Sequence, residues 1–331
     1  MSVSSPKSTV LMALVGNSVL TVLKFVAFSF SGSGAMLSEG IHSLADTGNQ
    51  ALLFIGIRRS ERPANSMFHY GFGSERFLFA LFSAMGLFVL GCGVTIYHGV
   101  RTLLDPPEQT FGPMLFIVLG ISFAVDGFVL WRVIGAIHAE KGDESMWSYL
   151  RSSSDPTVAA VLLEDGAACL GVVIALVGIG TAAATGSHVP DSIATLLIGA
   201  MMGLIAVWLG VKNSVLILGR AIPVEIQRAV VGFLNEQPTI ERVHDVKTLI
   251  VGAAHFKLKA EVDWDGRVLG GRLEGWVEEQ KDLLDTEEGR REFARNFGER
   301  LTRAVAVEID RIEDELKQRH PELKNLDLES D

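Results

Sequence analysis

Two predicted helices of this sequence carry side chains that could bind a cation. The first contains His42-Ser-Leu-Ala-Asp46, followed by Asn49. Four residues of α-helix turn a side chain by about 400°, so His42 and Asp46 project only about 40° apart. An imidazole and a carboxylate on one helix face suit Zn²⁺ or a similar divalent ion. The alternative is a buried His–Asp hydrogen bond that only holds two helices together.

The second helix carries two adjacent acids, Glu164 and Asp165, inside an apolar run. No lysine lies near them in sequence, and uncompensated acids in lipid require a cation, a proton or a water-filled cavity. Adjacent helical residues point about 100° apart, so one acid can face a site while the other supports it. The alternative is that one or both acids lie in water at the cytoplasmic edge of the membrane.

Other polar residues of the apolar helices are weaker candidates. Asp126 could be a metal ligand, a proton relay or a partner for Arg132. Cys169, one turn beyond Asp165, is predicted to be a small packing residue. Lys24 is predicted to extend to the membrane surface or to pair with an acid. Glu39 is predicted at the outer rim of the membrane.

The helices that position these residues are predicted from a step in composition. Residues 1–212 contain only 25 of the 68 charged side chains of the chain, which has 331 residues and a net charge of −10. This step predicts a membrane domain over 1–212 and a water-soluble domain over 213–331. The first domain is predicted to be an all-α bundle of six transmembrane helices, at about 9–30, 36–57, 77–100, 112–137, 157–183 and 190–211.

Basic residues in the loops predict the orientation of the bundle. They concentrate after the second and the fourth predicted span, at Arg58, Arg59, Arg62, Arg132, Lys141 and Arg151. By the positive-inside rule, both termini and these two loops are cytoplasmic. The short polar segment before the first span favours a bacterial inner (plasma) membrane over an organelle reached by import.

The soluble segment has the pattern of a small α+β domain. A helix is predicted over 223–235, a hairpin of two strands over 243–251 and 256–264, a long helix over 287–318 and a third strand near 323–328. A set of polar residues on the hairpin is predicted to be solvated rather than metal-binding: His244, Asp245, His255, Glu261 and Asp263.

Several classes of function are disfavoured by composition and motifs. Nucleic-acid binding requires a clustered basic face, which is lacking here. Cys92 and Cys169 are too few for a disulfide framework. The sequence has no nucleophile–base arrangement and no phosphate-binding loop, so an enzyme is not expected, and no prosthetic group is expected.

The sequence resembles the cation diffusion facilitator family of metal/proton antiporters. The shared features are six spans, His42xxxAsp46, the stretch His69-Tyr-Gly-Phe-Gly-Ser-Glu-Arg76, Asp165, and Val243-His-Asp-Val-Lys247. Within the family, Leu162-Leu-Glu-Asp165 and Lys259-Ala-Glu-Val-Asp-Trp-Asp-Gly-Arg267 resemble the zinc transporter 9-like branch. The resemblance implies a homodimer, a ferredoxin-like cytosolic domain and a tetrahedral metal site between the second and fifth spans.

One departure from the family pattern affects the predicted metal. Many members have a histidine four residues before the aspartate of the fifth span, where this chain has Val161. The resemblance therefore implies three ligands, His42, Asp46 and Asp165, to which we add Glu164. Asn49 or water is the alternative fourth ligand, and Asp126 a less certain one. An oxygen in place of nitrogen hardens the site, which admits Mn²⁺, Fe²⁺ or Co²⁺ besides Zn²⁺.

The predicted function is efflux of a divalent metal ion, with Zn²⁺/H⁺ antiport by alternating access. Metal ligands must lose their protons to bind, so an arriving proton displaces the metal. The partners expected are membrane lipid, the metal, protons as counter-ion and a second copy of the chain. The alternatives are an Mn²⁺, Fe²⁺ or Co²⁺ exporter of the same family, a passive metal channel, or a membrane-anchored metal sensor.

Overall fold

The computed structural model describes residues 6–106, 112–140, 145, 156–252 and 255–330. They divide into two compact units, and the boundary in sequence lies between Leu218 and Gly219. Lys141 and Arg151, two of the basic residues that predict the orientation of the bundle in the membrane, lie outside the described residues.

The first unit consists of long helices at all six positions predicted to be spans. Their bounds are α1 Pro6–Ser31, α2 Gly34–Ser60, α3 Glu75–Gly86, α4 Thr95–Leu104, α5 Pro113–Glu140, α6 Pro156–Thr185 and α7 Val189–Leu218. A π-helical segment, Leu87–Val94, joins α3 to α4, so the three form one continuous helical stretch. The last helix continues six residues beyond the predicted domain boundary at 212.

Within the described residues, four helical stretches are long and apolar enough to cross a membrane. They are Glu75–Leu104, Pro113–Gly135, Leu162–Thr185 and Val189–Leu218. A shorter apolar stretch covers Gly16–Ser31. The helix α2 is not among them, because its polar residues lower its mean hydropathy. A chain with these helices is an integral membrane protein.

Small and aliphatic side chains form the core of the helical unit. Its fully buried members come from α1, α2, α5, α6 and α7: Ala27, Ala35, Met36, Leu115, Val118, Leu119, Val172, Ala175, Ile179, Ala194, Ile198 and Met202. The π-helical segment packs against α7 at Gly91, where a Cβ would lie 2.5 Å from Cε of Met202. Close packing of this kind is how helices associate in lipid.

A tight turn and a buried carboxylate fix the start of α2. Gly32, with φ of +66°, ends α1 in the left-handed conformation that glycine tolerates. Asp191 of α7 is fully buried and accepts hydrogen bonds from Ser33 Oγ at 2.6 Å and from the backbone N–H of Gly34 at 2.7 Å. A carboxylate at a helix N-terminus is favourable because it satisfies unpaired N–H groups. Asp191 therefore joins α7 to the beginning of α2.

The second unit is the small α+β domain that the sequence predicts. Its elements are α8 Val224–Asn235, β1 Ile240–Gly252, β2 His255–Trp264, α9 Gly266–Gly271, α10 Glu274–Glu279, a 3-10 turn Lys281–Asp285, α11 Glu287–Arg319 and β3 Leu323–Ser330. The strands β1 and β2 pair antiparallel, which confirms the hairpin, and β3 adds to β2 in parallel.

One face of this sheet is buried by the helices. Along β2, Phe256, Leu258, Ala260 and Val262 are buried and alternate with partly exposed polar residues, which confirms the predicted period of two. Other core residues come from α8, α11 and β3, namely Val230, Leu234, Ile312, Leu316, Leu326 and Leu328. The insertion between β2 and α11 packs through Trp276, whose ring stacks on Phe293 and Phe297.

Candidate metal site

The polar residues of α2 lie on one face of the helix. Glu39, His42, Asp46 and Asn49 follow each other at spacings of three, four and three residues, which keeps their side chains in one stripe. The helix packs against α1, α6 and α7. Polar groups on a helix within lipid point into the bundle, because the lipid side offers them no partner.

His42 and Asp46 form the pair that their spacing predicts. The distance from His42 Nε2 to Asp46 Oδ2 is 3.5 Å, and the two side chains are 4% and 25% exposed. Neither ring nitrogen of His42 makes a hydrogen bond within the described part of the chain. Buried nitrogen atoms of this kind normally have a partner, so His42 has the capacity to bind a ligand.

Glu164 of α6 is joined to the polar face of α2 through Asn49. The amide Nδ2 of Asn49 donates to Glu164 Oε2 at 2.8 Å, and Asn49 Oδ1 accepts from Ser83 Oγ of α3 at 2.7 Å. Three helices therefore meet in one line of hydrogen bonds. Asn49, named as an alternative ligand, here orients the carboxylate of Glu164.

Asp165 has a carboxylate oxygen that is available to a ligand, and it interacts with the residues around His42 and Asp46. Its Oδ2 is buried and accepts no hydrogen bond from the described residues. It interacts electrostatically with Asp46, Asp126 and His42. Asp126 of α5 interacts in turn with Lys24, Glu39 and Asp46. The two aspartates therefore belong to the electrostatic surroundings of the His42–Asp46 pair.

The predicted ligands are neighbours but do not form one closed ligand set in this structure. No three histidine, cysteine, aspartate or glutamate side chains among the described residues are arranged to hold a metal ion. The direct contacts are pairwise, His42 with Asp46 and Asn49 with Glu164. Cys169 is buried.

Glu39, which is predicted at the outer rim of the membrane, lies five residues after the start of α2. Its side chain is fully buried among the helices and forms an ion pair with Lys24 of α1. The ammonium Nζ of Lys24 lies 3.0 Å from Glu39 Oε2 and donates to Ser43 Oγ at 2.8 Å. The tight turn at Gly32 reverses the chain, so α1 and α2 form a hairpin that brings Lys24 opposite Glu39 and Ser43. Lys24 therefore pairs with an acid, one of its two predicted roles.

Sequence reasoning did not find Ser83 or Gly171. A Cβ at Gly171 of α6 would lie 2.5 Å from Glu39 Oε1, so this glycine makes room for the carboxylate. Neither residue has a chemical signal in its own sequence neighbourhood. Their roles depend on which helices pack together.

The stretch His69–Arg76 stabilises the loop between α2 and α3. Glu75 forms ion pairs with Arg59 and Arg62, at the end of α2 and just after it. The guanidinium of Arg62 also lies 3.9 Å from the centre of the Phe72 ring. This part of the resemblance is structural and lies at one end of the bundle.

The polar residues of the hairpin in the second unit are engaged with neighbouring side chains. His244 Nε2 lies 2.8 Å from Asp263 Oδ2, and His255 Nε2 lies 2.7 Å from Asn325 Oδ1. Lys247 pairs with Asp245. In the part of this unit that the structure describes, no metal-binding group is present.

Several known proteins are similar to this chain. A family model described as the cation efflux transmembrane domain matches residues 10–218. The human "Proton-coupled zinc antiporter SLC30A9, mitochondrial" is 34% identical over 98% of this chain and 58% of its own length. "Metal tolerance protein C4" of Arabidopsis thaliana is 31% identical over 96% of this chain and 72% of its own length. "Cation-efflux pump FieF" of Shigella flexneri is 24% identical over 72% of this chain and 75% of its own length. The chain thus spans about 58% of the SLC30A9 proteins that it matches.

Proposed function

This chain belongs to the cation diffusion facilitator family, and from that premise we propose that it exports a divalent cation, Zn²⁺ foremost, in exchange for protons. The printed names of the relatives support the substrate and the counter-ion, since one is a proton-coupled zinc antiporter and another a cation-efflux pump. The resemblance to the zinc transporter 9-like branch agrees with the sequence identity of 34% to human SLC30A9, which extends over 98% of this chain.

The proposal depends on the nitrogen and oxygen groups that α2 and α6 place close together. The polar face of α2 presents an imidazole beside a carboxylate, and neither imidazole nitrogen makes a hydrogen bond to the described residues. The neighbouring helix α6 adds Glu164 and Asp165. These are nitrogen and oxygen ligands of the kind that Zn²⁺ accepts. We infer that metal binding draws His42, Asp46, Asp165 and Glu164 together by rotation of their side chains, with Asp126 as a further acid nearby.

The architecture proposed for this activity has six membrane spans. To the four apolar stretches it adds α1 and α2, whose polar residues face the bundle. The second unit is proposed to be a ferredoxin-like cytosolic domain that holds a homodimer together, and its order of helix, hairpin, helix and parallel strand supports this.

Both termini are proposed to lie on the side from which metal is taken. The arginines around the loop between α2 and α3 support this orientation by the positive-inside rule. The expectation of a bacterial inner membrane gains no support from the relatives, since the SLC30A9 proteins are named as mitochondrial. The proposal therefore concerns the orientation in the membrane and not the compartment.

Proton coupling follows from competition at one site. The imidazole of His42 and the carboxylates of Asp46, Asp165 and Glu164 bind metal only without a proton. Protons from the far side would occupy these groups after metal release, and the loaded and unloaded sites would then be exposed in alternation to the two sides. The polar line from Asn49 to Glu39 extends along α2 and offers groups for both ions.

Transport by the purified chain in proteoliposomes tests the proposal. The parent should move Zn²⁺, and His42→Ala and Asp46→Asn should lower the rate at least about tenfold, since each removes one of only about four ligands. His138→Ala and Asp105→Asn are matched controls, because both residues are exposed in the same unit and should leave the rate unchanged. Equal rates for parent and His42→Ala would contradict the site.

Internal pH separates an antiporter from a passive channel. Vesicles loaded with a pH-sensitive dye should show proton movement opposite to Zn²⁺ movement, which a passive channel would not produce.

A truncated chain separates a transporter from a membrane-anchored sensor. A chain ending at Leu218 should retain some Zn²⁺ transport, whereas a sensor or scaffold that works through the second unit would lose its activity.

The oxygen-rich ligand set supports a second candidate, export of Mn²⁺, Fe²⁺ or Co²⁺. Glu164 supplies an oxygen where a nitrogen ligand would favour Zn²⁺. Competition among the four metals, measured for the parent and for Glu164→Gln, distinguishes the candidates. Selective loss of Mn²⁺, Fe²⁺ or Co²⁺ transport in the variant would favour the second one. Glu61→Gln, at the exposed end of α2, is the matched control.

A further inference from the structure

A lysine lies inside the helix bundle beside the candidate metal site. Lys24 is 1% exposed, and its ammonium contacts Glu39 and Ser43 at 3.0 and 2.8 Å. A fixed positive charge repels a divalent cation, and burial strengthens that repulsion because little water screens it. A lysine at this position is therefore unfavourable for metal binding and requires a physical reason.

The charge of Lys24 reaches the residues proposed to bind metal. Lys24 interacts electrostatically with Asp126 and Asp46 as well as with Glu39. Glu39 acts on Asp46 and Asp126 with the opposite sign. The two charges therefore have opposing effects on the same acids. Both lie close to the proposed ligand His42, since Glu39 precedes it by three residues and Lys24 contacts the adjacent Ser43.

The pair is not a fully satisfied structural contact. Glu39 uses Oε2 for Lys24, while Oε1 is buried and has no hydrogen-bond partner in the described part of the chain. Gly171 of α6 leaves space for that oxygen, since a Cβ there would lie 2.5 Å away. A buried ion pair with an unsatisfied oxygen contributes little to stability, because desolvation offsets most of the attraction.

We infer that Lys24 and Glu39 form a buried charge pair that sets the affinity of the neighbouring carboxylates for the divalent cargo. Lys24 weakens metal binding, and Glu39 moderates that effect. This inference rests on the proposed transport function. Four or five acids gathered around one divalent ion would bind it tightly and release it slowly, whereas an internal cation keeps the affinity low enough for turnover.

Binding measurements on three variants of the full chain test the inference. The dissociation constant for Zn²⁺ is measured by calorimetry in detergent micelles for the parent, Lys24→Met, Glu39→Gln and the double variant. Removal of the positive charge should lower the constant at least about tenfold, and removal of the negative charge should raise it by a similar factor. The double variant removes a neutral pair and should return to within about threefold of the parent. Lys212→Met is the matched control, because Lys212 lies on α7 against the ring of Trp208.

A purely structural ion pair gives a different pattern. Both single variants would then lower the melting temperature, and their dissociation constants would stay unchanged or move in the same direction. Either pattern overturns the inference.

If Lys24→Met does not fold, the other two variants still test the inference. It requires weaker Zn²⁺ binding by Glu39→Gln and near-parental Zn²⁺ binding by the double variant. A parent that fails to bind Zn²⁺ refutes the proposed function itself, whereas a parent that binds while the variants show no opposing shifts refutes only the inference.

Discussion

Glu308, in the second unit, is a buried carboxylate whose loss should have a defined cost. It is 2% exposed and accepts hydrogen bonds from Arg272 Nη1 at 2.7 Å, Arg311 Nη2 at 2.9 Å and Thr239 Oγ1 at 2.8 Å. These partners come from the insertion, from α11 and from the segment before β1. The bonds from Arg311, together with those from Arg272 and Thr239, outweigh the desolvation of Glu308 and lower its pKa to about 2.

The contribution of Glu308 to the free energy of unfolding follows from this pKa. The ordinary value of 4.5 exceeds the folded value of about 2 by roughly 2.5 units, which corresponds to about 3 kcal/mol at 1.36 kcal/mol per unit. The two arginines are 49% and 45% exposed, so solvent screening reduces the expected contribution to about 2 kcal/mol. A carboxyl whose folded pKa is lowered contributes stability above its unfolded pKa. That stability is lost as the pH falls from about 4.5 through 2.

The change Glu308→Gln keeps the shape of the side chain and removes its charge. We expect the free energy of unfolding of the second unit to fall by about 2 kcal/mol at pH 7. The loss should be smaller at pH 3, because Glu308 is then mostly protonated in the unfolded chain while it is still mostly ionised in the folded one. Hydrogen exchange of peptides from β1 and β2 in the full chain, corrected for intrinsic amide rates, measures this. Glu299→Gln is the control, since that residue of α11 is 73% exposed. An equal loss at both pH values, or no loss at pH 7, would refute the electrostatic explanation.

Two further predictions concern the helical unit. Gly171→Ala should displace the Glu39 carboxylate, because the new Cβ would lie 2.5 Å from Oε1, and Zn²⁺ transport should slow several-fold. Gly180→Ala is the control on the same helix, since its new Cβ would have no atom within 4 Å and the variant should transport like the parent. Equal rates for the two variants would show that this contact has no role. Asp191→Ala should destabilise the unit by about 1–3 kcal/mol, since Ser33 and the first N–H groups of α2 lose a buried acceptor. A melting temperature equal to that of the parent would contradict this.

Local patterns explain what could be predicted from the sequence. The alternation along β2 and the spacing within His42xxxAsp46 depend only on how strands and helices repeat, so both could be located without a structure. Apolar runs and composition likewise located the helices of the first unit, although α7 continues to Leu218.

Contacts between distant segments could not be predicted in this way. Asp191 follows Ser33 by 158 residues, and Glu308 follows Arg272 by 36. The burial and pairing of Glu39 could not be predicted from its own helix alone. The hairpin of α1 and α2 supplies the partner Lys24, and a partner makes burial of an acid tolerable.

The buried polar atoms around α2 connect stability with function. His42 Nδ1 and Nε2, Glu39 Oε1 and Asp165 Oδ2 lack hydrogen bonds within the described residues. Each such atom costs about 1–3 kcal/mol, which is a substantial fraction of the total stability of about 5–15 kcal/mol of most folds. Apolar residues in place of His42 and Asp165 would remove that cost, whereas Glu39 is the ion-pair partner of Lys24. In the proposed transport cycle, a cation or proton bound at His42 or Asp165 would recover this cost and its departure would restore it, so free energy would be exchanged between cargo and counter-ion. Replacing His42 and Asp165 with apolar residues should therefore stabilise the bundle while it abolishes the proposed transport.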